Sequence, residues 1–165
     1  MNTLDFIRTQ MEMSKSWVMG LAADIQDAPL TLPTSNGGNH PLWIVGHLAY
    51  SEANIISVLA QGKENPLLEW KDLFGKDSQP VNDASHYPSY PDVLARFETV
   101  CADTLAYLDT LSEEDLNKPS NATEEMQGYF GTIGKCLAVL TTHLAFHGGQ
   151  IADARRADGR GVLMG

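Results

Sequence analysis

Two histidines four residues apart, His143 and His147, are the side chains of this sequence best suited to chemistry. They lie in the segment Thr141–Gln150, whose spacing of apolar residues predicts a helix. Four residues turn an α-helix by about 400°, so the two imidazoles lie one above the other on the same face. At this spacing two ring nitrogens can converge on one metal ion.

A third histidine, His47, lies in the earlier segment Pro41–Tyr50, which also has the pattern of a helix. If the two helices face each other, His47 can join His143 and His147. Three neutral imidazoles leave coordination positions open, which is typical of a catalytic rather than a structural metal site. The alternative is that each ring is a hydrogen-bonded core residue, but burying two unpaired imidazoles on one face is costly.

The metal that suits three nitrogen ligands is a borderline divalent ion, zinc or nickel, with iron and manganese as alternatives. His40 lies about 10 Å from His47 along the same helix, so we expect it to cap the helix or to lie at the pocket rim. His86 could contribute only if its irregular segment folds over the site. Glu52 and Glu69 are available as acids or bases, but nothing in the sequence singles them out.

Four long segments repeat apolar residues every three or four positions, the pattern of amphipathic helices. They are residues 3–26, a segment from His40 to Gly62, a segment from Pro91 to Leu111, and one from Thr132 to Arg156. Pro41 suits the first position of a helix, with Asn39 or His40 as its cap. Because no segment has the pattern of a strand, the sequence predicts an all-α four-helix bundle, a single domain over residues 1–165.

The connection formed by residues 63–90 is long and irregular. It contains Pro80 and Pro88, which are incompatible with a continuous helix, while its apolar residues between 67 and 74 favour a short helix or a packed loop. Long insertions of this kind often form a lid or a pocket wall, so we expect this one to determine substrate identity. Residues 117–130 are predicted to be a loop with at most a hairpin or a partial turn.

Composition excludes several classes of protein. The chain has 11 lysines and arginines against 21 aspartates and glutamates, a net charge of −10, and nucleic-acid binding needs clustered cations. It has no run of 18 apolar residues that would span a membrane, and its start lacks a signal peptide's pattern, so we predict a cytoplasmic protein. Cys101 and Cys136 are then expected to be free core thiols.

Three polar residues lie at helical spacing from the histidines. Gln150 follows His147 by three residues, so it could hydrogen-bond a ligand imidazole or a metal-bound water, although a bond between helices is an equal alternative. Ser51 and Asn54 lie one and two turns beyond His47 and could line a pocket; packing at the edge of the core is the alternative for both.

Apolar residues near the histidines are expected to form a pocket wall. Trp43, Leu144 and Ile151 lie within one or two turns of a histidine and would suit a substrate with an apolar body. Gly148 and Gly149 lie inside the predicted helix, where each glycine costs about 1 kcal/mol relative to alanine. Their presence predicts close packing against another helix or a ligand.

Both histidine segments resemble one known family. The stretch from Asn39 to Glu52 resembles the Trp-x-x-x-His-Leu signature of the second helix in the DinB/YfiT-like superfamily. The stretch Thr142–Ala152, followed by Arg155 and Arg156, resembles that family's His-x-x-x-His-x-Gly-Gln segment with its trailing arginines. The helix lengths also fit, so the resemblance covers nearly the whole chain.

The resemblance implies an up-down-down-up four-helix bundle that is often dimeric, with a metal held by His47, His143 and His147. Members of the superfamily include thiol S-transferases and isomerases that use low-molecular-weight thiols such as bacillithiol or mycothiol. We therefore expect a homodimeric, metal-dependent enzyme that joins such a thiol to a small electrophilic substrate. The alternatives are a metal-dependent hydrolase using the same ligands and a non-catalytic metal- or ligand-binding, stress-related protein.

Overall fold

Four long helices and two short ones make up most of the computed structural model, which describes residues 1–163. The α-helices are α1 (Thr3–Asp24), α2 (Pro41–Ala53), α3 (Lys71–Phe74), α4 (Tyr90–Leu108), α5 (Gln127–Phe130) and α6 (Ile133–Ala157). A π-helix, Asn54–Ala60, continues α2, and 3-10 turns occur at Leu68–Trp70, Ala84–His86, Glu113–Asn117 and Glu124–Met126. These residues contain no strand, so the predicted all-α class is confirmed.

Side-chain caps fix where the long helices begin. His40 is the N-cap of α2, where its Nδ1 accepts a hydrogen bond of 3.1 Å from the main-chain N–H of Trp43. Ser89 caps α4 and Thr132 caps α6 through their hydroxyl groups. The predicted helix starts are therefore confirmed, and capping, not ligation, is the role of His40.

The neighbours of α1 establish two of the helix directions. The Tyr90 hydroxyl at the start of α4 donates to the carbonyl of Ala22 near the end of α1 (2.9 Å), so these helices are antiparallel. Nε of Arg155 near the end of α6 donates to Oδ2 of Asp24 at the end of α1 (2.7 Å), so α1 and α6 run in parallel.

Contacts between α2 and the region of α6 give the direction of α2. His47 in α2 lies beside His143 in the middle of α6. The carbonyl of Leu59, further along, accepts a 2.8 Å bond from the N–H of Asn121, which precedes α6 in the chain. Because α2 thus runs towards the start of α6, the two are antiparallel, and the order is up-down-down-up.

All four long helices contribute to one hydrophobic core. Its largest fully buried side chains include Met11, Ile44, Leu48, Phe74, Phe97, Leu137, Leu140, Leu144 and Ile151. Residues Pro41–Ala60 would be long and apolar enough to cross a membrane, but 72% of the most apolar window lies inside the bundle. This is the pattern of a core helix.

A charged pair is also buried in this core. Nζ of Lys15 lies 2.8 Å from Oε1 of Glu52, an ion-pair contact that is not aligned as a hydrogen bond, and donates to the carbonyl of Cys101 at 2.7 Å. Burial raises the pKa of the Cys101 thiol, which lies 3.7 Å from Oε2 of Glu52. Cys101 and Cys136 are both free and buried, as expected.

Residues 63–90 are packed against α2 instead of extending as a free loop. The ring of Phe74 lies on Gly46, where an added Cβ would approach the ring to 2.3–2.5 Å. Only glycine at position 46 therefore leaves room for this contact. Residues 117–130 are more helical than predicted, because they include a 3-10 turn and α5.

Candidate metal centre

Three imidazoles meet between α2 and α6. His47 comes from α2, while His143 and His147 lie one turn apart on α6, and one nitrogen of each lies within 4.8 Å of those of the other two. Nε2 of His47 is 3.2 Å from Nε2 of His143. Two nitrogens bound to one tetrahedral zinc at about 2.0–2.1 Å would be roughly 3.3 Å apart, so the observed separation fits.

Hydrogen bonds fix the tautomers of two of these rings. Nδ1–H of His47 donates to the main-chain carbonyl of Phe74 (2.8 Å), and Nδ1–H of His147 donates to Oε1 of Gln150 (2.7 Å). A carbonyl oxygen can only accept, so Nε2 of each ring carries the lone pair. Such partners orient metal-binding histidines and increase their basicity. Gln150 therefore hydrogen-bonds a candidate ligand imidazole, which is one of the roles predicted for it.

The surroundings of the two ring nitrogens of His143 also favour a cation between the three imidazoles. Its Nδ1 is buried and has no hydrogen-bond partner within residues 1–163. Its Nε2 faces the lone pair of His47, and two lone pairs at 3.2 Å repel each other unless a proton or a cation lies between them. The set of neutral nitrogen donors suits a borderline divalent cation.

Burial keeps the three rings neutral. Burial, together with the neighbouring imidazoles, lowers the pKa of His143 to about 3. Burial also lowers the pKa of His147 to about 4, although its hydrogen bond to Gln150 partly offsets this effect. Burial also lowers the pKa of His47, which the bond to Phe74 partly offsets. Neutral imidazole is the form that binds metal ions, so the site is ready for a cation at neutral pH.

Aromatic rings pack on two of the histidines. Trp43 stacks on His47 with ring centroids 4.5 Å apart and an interplanar angle of 10°, and its Nε1–H donates to Oγ of Ser78 (3.0 Å). The ring of Phe146 meets His147 edge-on at 5.1 Å. Trp43 thus packs on one face of the imidazole of His47, a candidate metal ligand.

A cavity of about 530 Å³ opens beside the imidazoles. His47 and His143 line it, together with Ser51 and Asn54, the two residues predicted as pocket lining. Oγ of Ser51 lies 3.4 Å from Nε2 of His47. Hydroxyl and amide groups therefore lie next to the candidate ligands on the cavity side.

The apolar wall of the cavity differs from the expectation. Trp43 lies behind His47, and Leu144 and Ile151 are fully buried in the core, so the predicted wall of these three residues is wrong. The observed wall consists of Ile55, Leu59, Met126, Phe130 and Val139. The stripe of α6 that holds Leu144 and Ile151 packs on the other helices, which leaves neither side chain free to face the cavity.

The remaining histidines and acids lie elsewhere. Both ring nitrogens of His40 are engaged, because Nδ1 caps α2 and Nε2–H donates to the carbonyl of Val81 (3.1 Å). His86 is exposed beside Tyr87, and Glu52 is paired with Lys15. None of them takes part in the three-histidine group.

Sequence reasoning missed three features of the site. These are the Phe74 carbonyl on His47, the π-helix Asn54–Ala60 and the contribution of residues 126–130 to the cavity wall. A main-chain carbonyl leaves no trace in a side-chain pattern. Gly46, directly before His47, was the signal that another segment packs closely there.

Comparison with known proteins agrees with the all-helical fold. A crystal structure of a conserved protein from Enterococcus faecalis is similar over 97% of this chain and 99% of that one, with a TM-score of 0.71 and 16% sequence identity, which shows a shared fold. No curated protein matches the sequence significantly. The family model described as DinB superfamily matches residues 10–151. With its all-helical bundle and a histidine triad that could hold a metal ion, the chain belongs to the DinB superfamily.

Proposed function

We propose that this protein is a cytoplasmic metal-dependent enzyme that transfers a low-molecular-weight thiol to a small electrophile. The observation that carries the proposal is the position of His47 and His143, which belong both to the three-histidine group and to the wall of a 530 Å³ cavity. A site with three protein ligands that opens on a cavity can admit a substrate. Zinc or nickel would suit its donors best, with iron and manganese as alternatives.

A divalent ion held by three neutral imidazoles would keep its double positive charge, which lowers the pKa of a thiol in the cavity. Residues of the protein orient the candidate ligands and line the cavity. Phe74 and Gln150 hold His47 and His147 in the orientation that presents Nε2. Ser51 can accept or donate a hydrogen bond beside His47, and the apolar wall keeps water away from a bound electrophile.

The test is an assay with a chlorinated aromatic electrophile, in which the thiol sulfur forms a C–S bond to the ring carbon while the C–Cl bond breaks, releasing chloride and the thiol proton. Zinc-loaded and zinc-free protein are each incubated with the electrophile, with and without added thiol, and in a separate assay with an ester. His86→Ala serves as the control for the variant His143→Ala, because His86 is exposed and outside the site. Product that requires both zinc and thiol supports the transferase. Product from an ester with zinc alone supports the hydrolase. Absence of turnover from a zinc-retaining protein supports non-catalytic binding.

We also propose that the protein is a homodimer. Phe6, Met13 and Trp17 are 54%, 44% and 49% exposed and lie seven and four residues apart, on one face of α1. Phe146 on α6 is 65% exposed. An added Cβ at Gly148 would lie 3.1 Å from Val18, so Phe146 and Trp17 occupy the same level of two neighbouring helices. An apolar face of this kind supports packing against a second copy.

A further inference from the structure

The cavity beside the imidazoles has two chemically different parts. Its polar part consists of His47, His143, Ser51 and Asn54. Its apolar part consists of Ile55 and Leu59 from the π-helix, Met126 and Phe130 from the 3-10 turn and α5, and Val139 from α6. Four elements from three separate segments of the chain thus converge to build an apolar wall at one side of the candidate ligands.

The π-helix points to a functional origin of this wall. π-helical turns are rare and occur frequently at functional sites. Here the π-helix Asn54–Ala60 supplies three of the lining residues, Asn54, Ile55 and Leu59. The segment before α6 is held to it, because the main-chain and side-chain amides of Asn121 both donate to the carbonyl of Leu59, at 2.8 and 3.1 Å.

Charged side chains are confined to the exposed side of the cavity. They are Lys71, Asp72, Lys76 and Asp77, all exposed and all without an ion-pair partner within 4.0 Å among residues 1–163. Two cations and two anions give this side no net charge. A substrate therefore meets charge of either sign only near solvent, and uncharged surface further in.

We infer that the substrate has an uncharged apolar body, an aryl or branched alkyl group, attached to a polar reactive end. The polar end lies at His47 and His143, and the apolar body lies against Ile55, Met126, Phe130 and their neighbours in the wall. This inference rests on the proposed metal centre and names the substrate class that its cavity takes. The volume of about 530 Å³ is in the range of small-molecule sites, roughly 300–1,000 Å³.

Two hydroxamates that share a metal-binding head test the inference. Acetohydroxamate carries only a methyl group on this head, whereas 2-naphthohydroxamate carries a large apolar naphthyl group. Binding of each to zinc-loaded protein is measured by isothermal titration calorimetry. We expect 2-naphthohydroxamate to bind at least about tenfold tighter, because burying even half of its ring surface removes enough apolar area from water.

Two variants locate the binding of the naphthyl body. Met126→Gln and Val139→Thr keep the approximate shape of each side chain while making the wall polar, and both side chains are only partly buried. They should reduce the ratio of the 2-naphthohydroxamate affinity to the acetohydroxamate affinity at least about threefold. Met19→Gln, a partly buried methionine outside the cavity, is the matched control.

The outcomes separate this inference from the proposed function. Equal affinity for the two hydroxamates overturns the inference while the metal centre stands. A naphthyl preference that survives both wall variants also overturns it, since the body then binds elsewhere. Loss of zinc from the wild-type protein on gel filtration overturns the metal centre and this inference with it. A preference that both wall variants reduce, and Met19→Gln does not, supports it.

Discussion

The main-chain carbonyl of Phe74 accepts a 2.8 Å hydrogen bond from Nδ1 of His47, so a residue 27 positions away orients a candidate metal ligand. The ring of the same phenylalanine packs on Gly46, the neighbour of that histidine. One segment therefore contacts α2 through its backbone and its side chain at adjacent residues. This arrangement makes the geometry of the ligand depend on the size of residue 46.

Gly46→Ala should weaken metal binding. The added Cβ would lie 2.3–2.5 Å from the ring of Phe74, which must shift and take its carbonyl away from His47. Loss of such a supporting bond typically lowers metal affinity about 10- to 100-fold. Zinc affinity is measured by competition with a chromophoric chelator.

Two further variants keep this test specific. Gly134→Ala is the control, because its Cβ would also be crowded, at 2.9 Å from the main-chain carbonyl oxygen of Leu116, but away from the imidazoles. Phe74→Leu should restore part of the affinity in the Gly46→Ala background by making room for the methyl group. Equal zinc affinity of Gly46→Ala and the wild-type protein would show that the Phe74 contact does not orient His47.

Lys15→Met should destabilise the fold strongly. The side chains of Lys15 and Glu52 are 6% and 0% exposed, so removing the cation leaves a buried carboxylate without a counter-charge. Breaking such a pair costs about 3–5 kcal/mol, whereas replacing both members by apolar residues is often neutral or stabilising. We therefore expect Lys15→Met/Glu52→Leu to recover most of the loss in urea unfolding. A single variant as stable as the wild type would contradict this account.

Metal-free protein should lose stability as the pH falls below about 6.5. Folding lowers the pKa of His147 to about 4 and that of His143 to about 3, from 6.5. Between these values the unfolded chain binds more protons than the folded one, so the free energy of unfolding rises with pH. Each histidine contributes up to about 1.4 kcal/mol per pH unit there, and its contribution is complete above about pH 6.5.

Urea unfolding of the metal-free protein at about pH 5, 6 and 7 checks this dependence. Carboxylates contribute to the slope at the lowest pH, so the comparison is made with His143→Gln. That variant should have a shallower pH dependence than the wild type, because one of the three neutral imidazoles is gone. Parallel curves for the two proteins would mean that His143 titrates normally in the fold.

Trp17→Glu should convert a dimer into a monomer. Trp17 is 49% exposed on the face of α1 that also carries Phe6 and Met13, and a carboxylate at this position would be desolvated in a dimer interface. Leu32→Glu is the control, because Leu32 is an exposed apolar residue in the connection between α1 and α2 and not on α1. The measurement is sedimentation velocity at about 20 micromolar protein. A wild-type protein that is monomeric at this concentration would contradict the proposed homodimer.

Local sequence patterns were sufficient to predict the long helices and the face of α6 on which His143 and His147 lie. The spacing of His143 and His147 determines that they share a face of α6, and Pro41 with His40 marks the start of α2. Helix directions came from the family resemblance and are confirmed by contacts such as that between Asp24 and Arg155. These features depend on short stretches of sequence, which is why they could be predicted.

The apolar wall of the cavity could not be predicted in the same way. The predicted contribution of residues 63–90 to a pocket wall is confirmed, because residues 71, 72 and 75–78 line the cavity. An apolar stripe shows that a side chain is buried but not which neighbour covers it, and Leu144 and Ile151 were therefore assigned to the wrong surface. The wall residues Met126 and Phe130 come from a segment predicted as a loop, and the contact of Asn121 with Leu59 is a tertiary one. Such placement is determined by how distant segments pack.

The central claim is that His47, His143 and His147 bind one divalent metal ion. The most direct measurement is elemental analysis by plasma mass spectrometry of protein purified without chelators, for the wild type, His143→Ala/His147→Ala and the control His86→Ala. We expect about one zinc or nickel per chain in the wild type and in His86→Ala, and almost none in the double variant, because one imidazole cannot retain the ion. Stoichiometric metal in the double variant, or its absence from a wild-type protein supplied with zinc, would contradict the account.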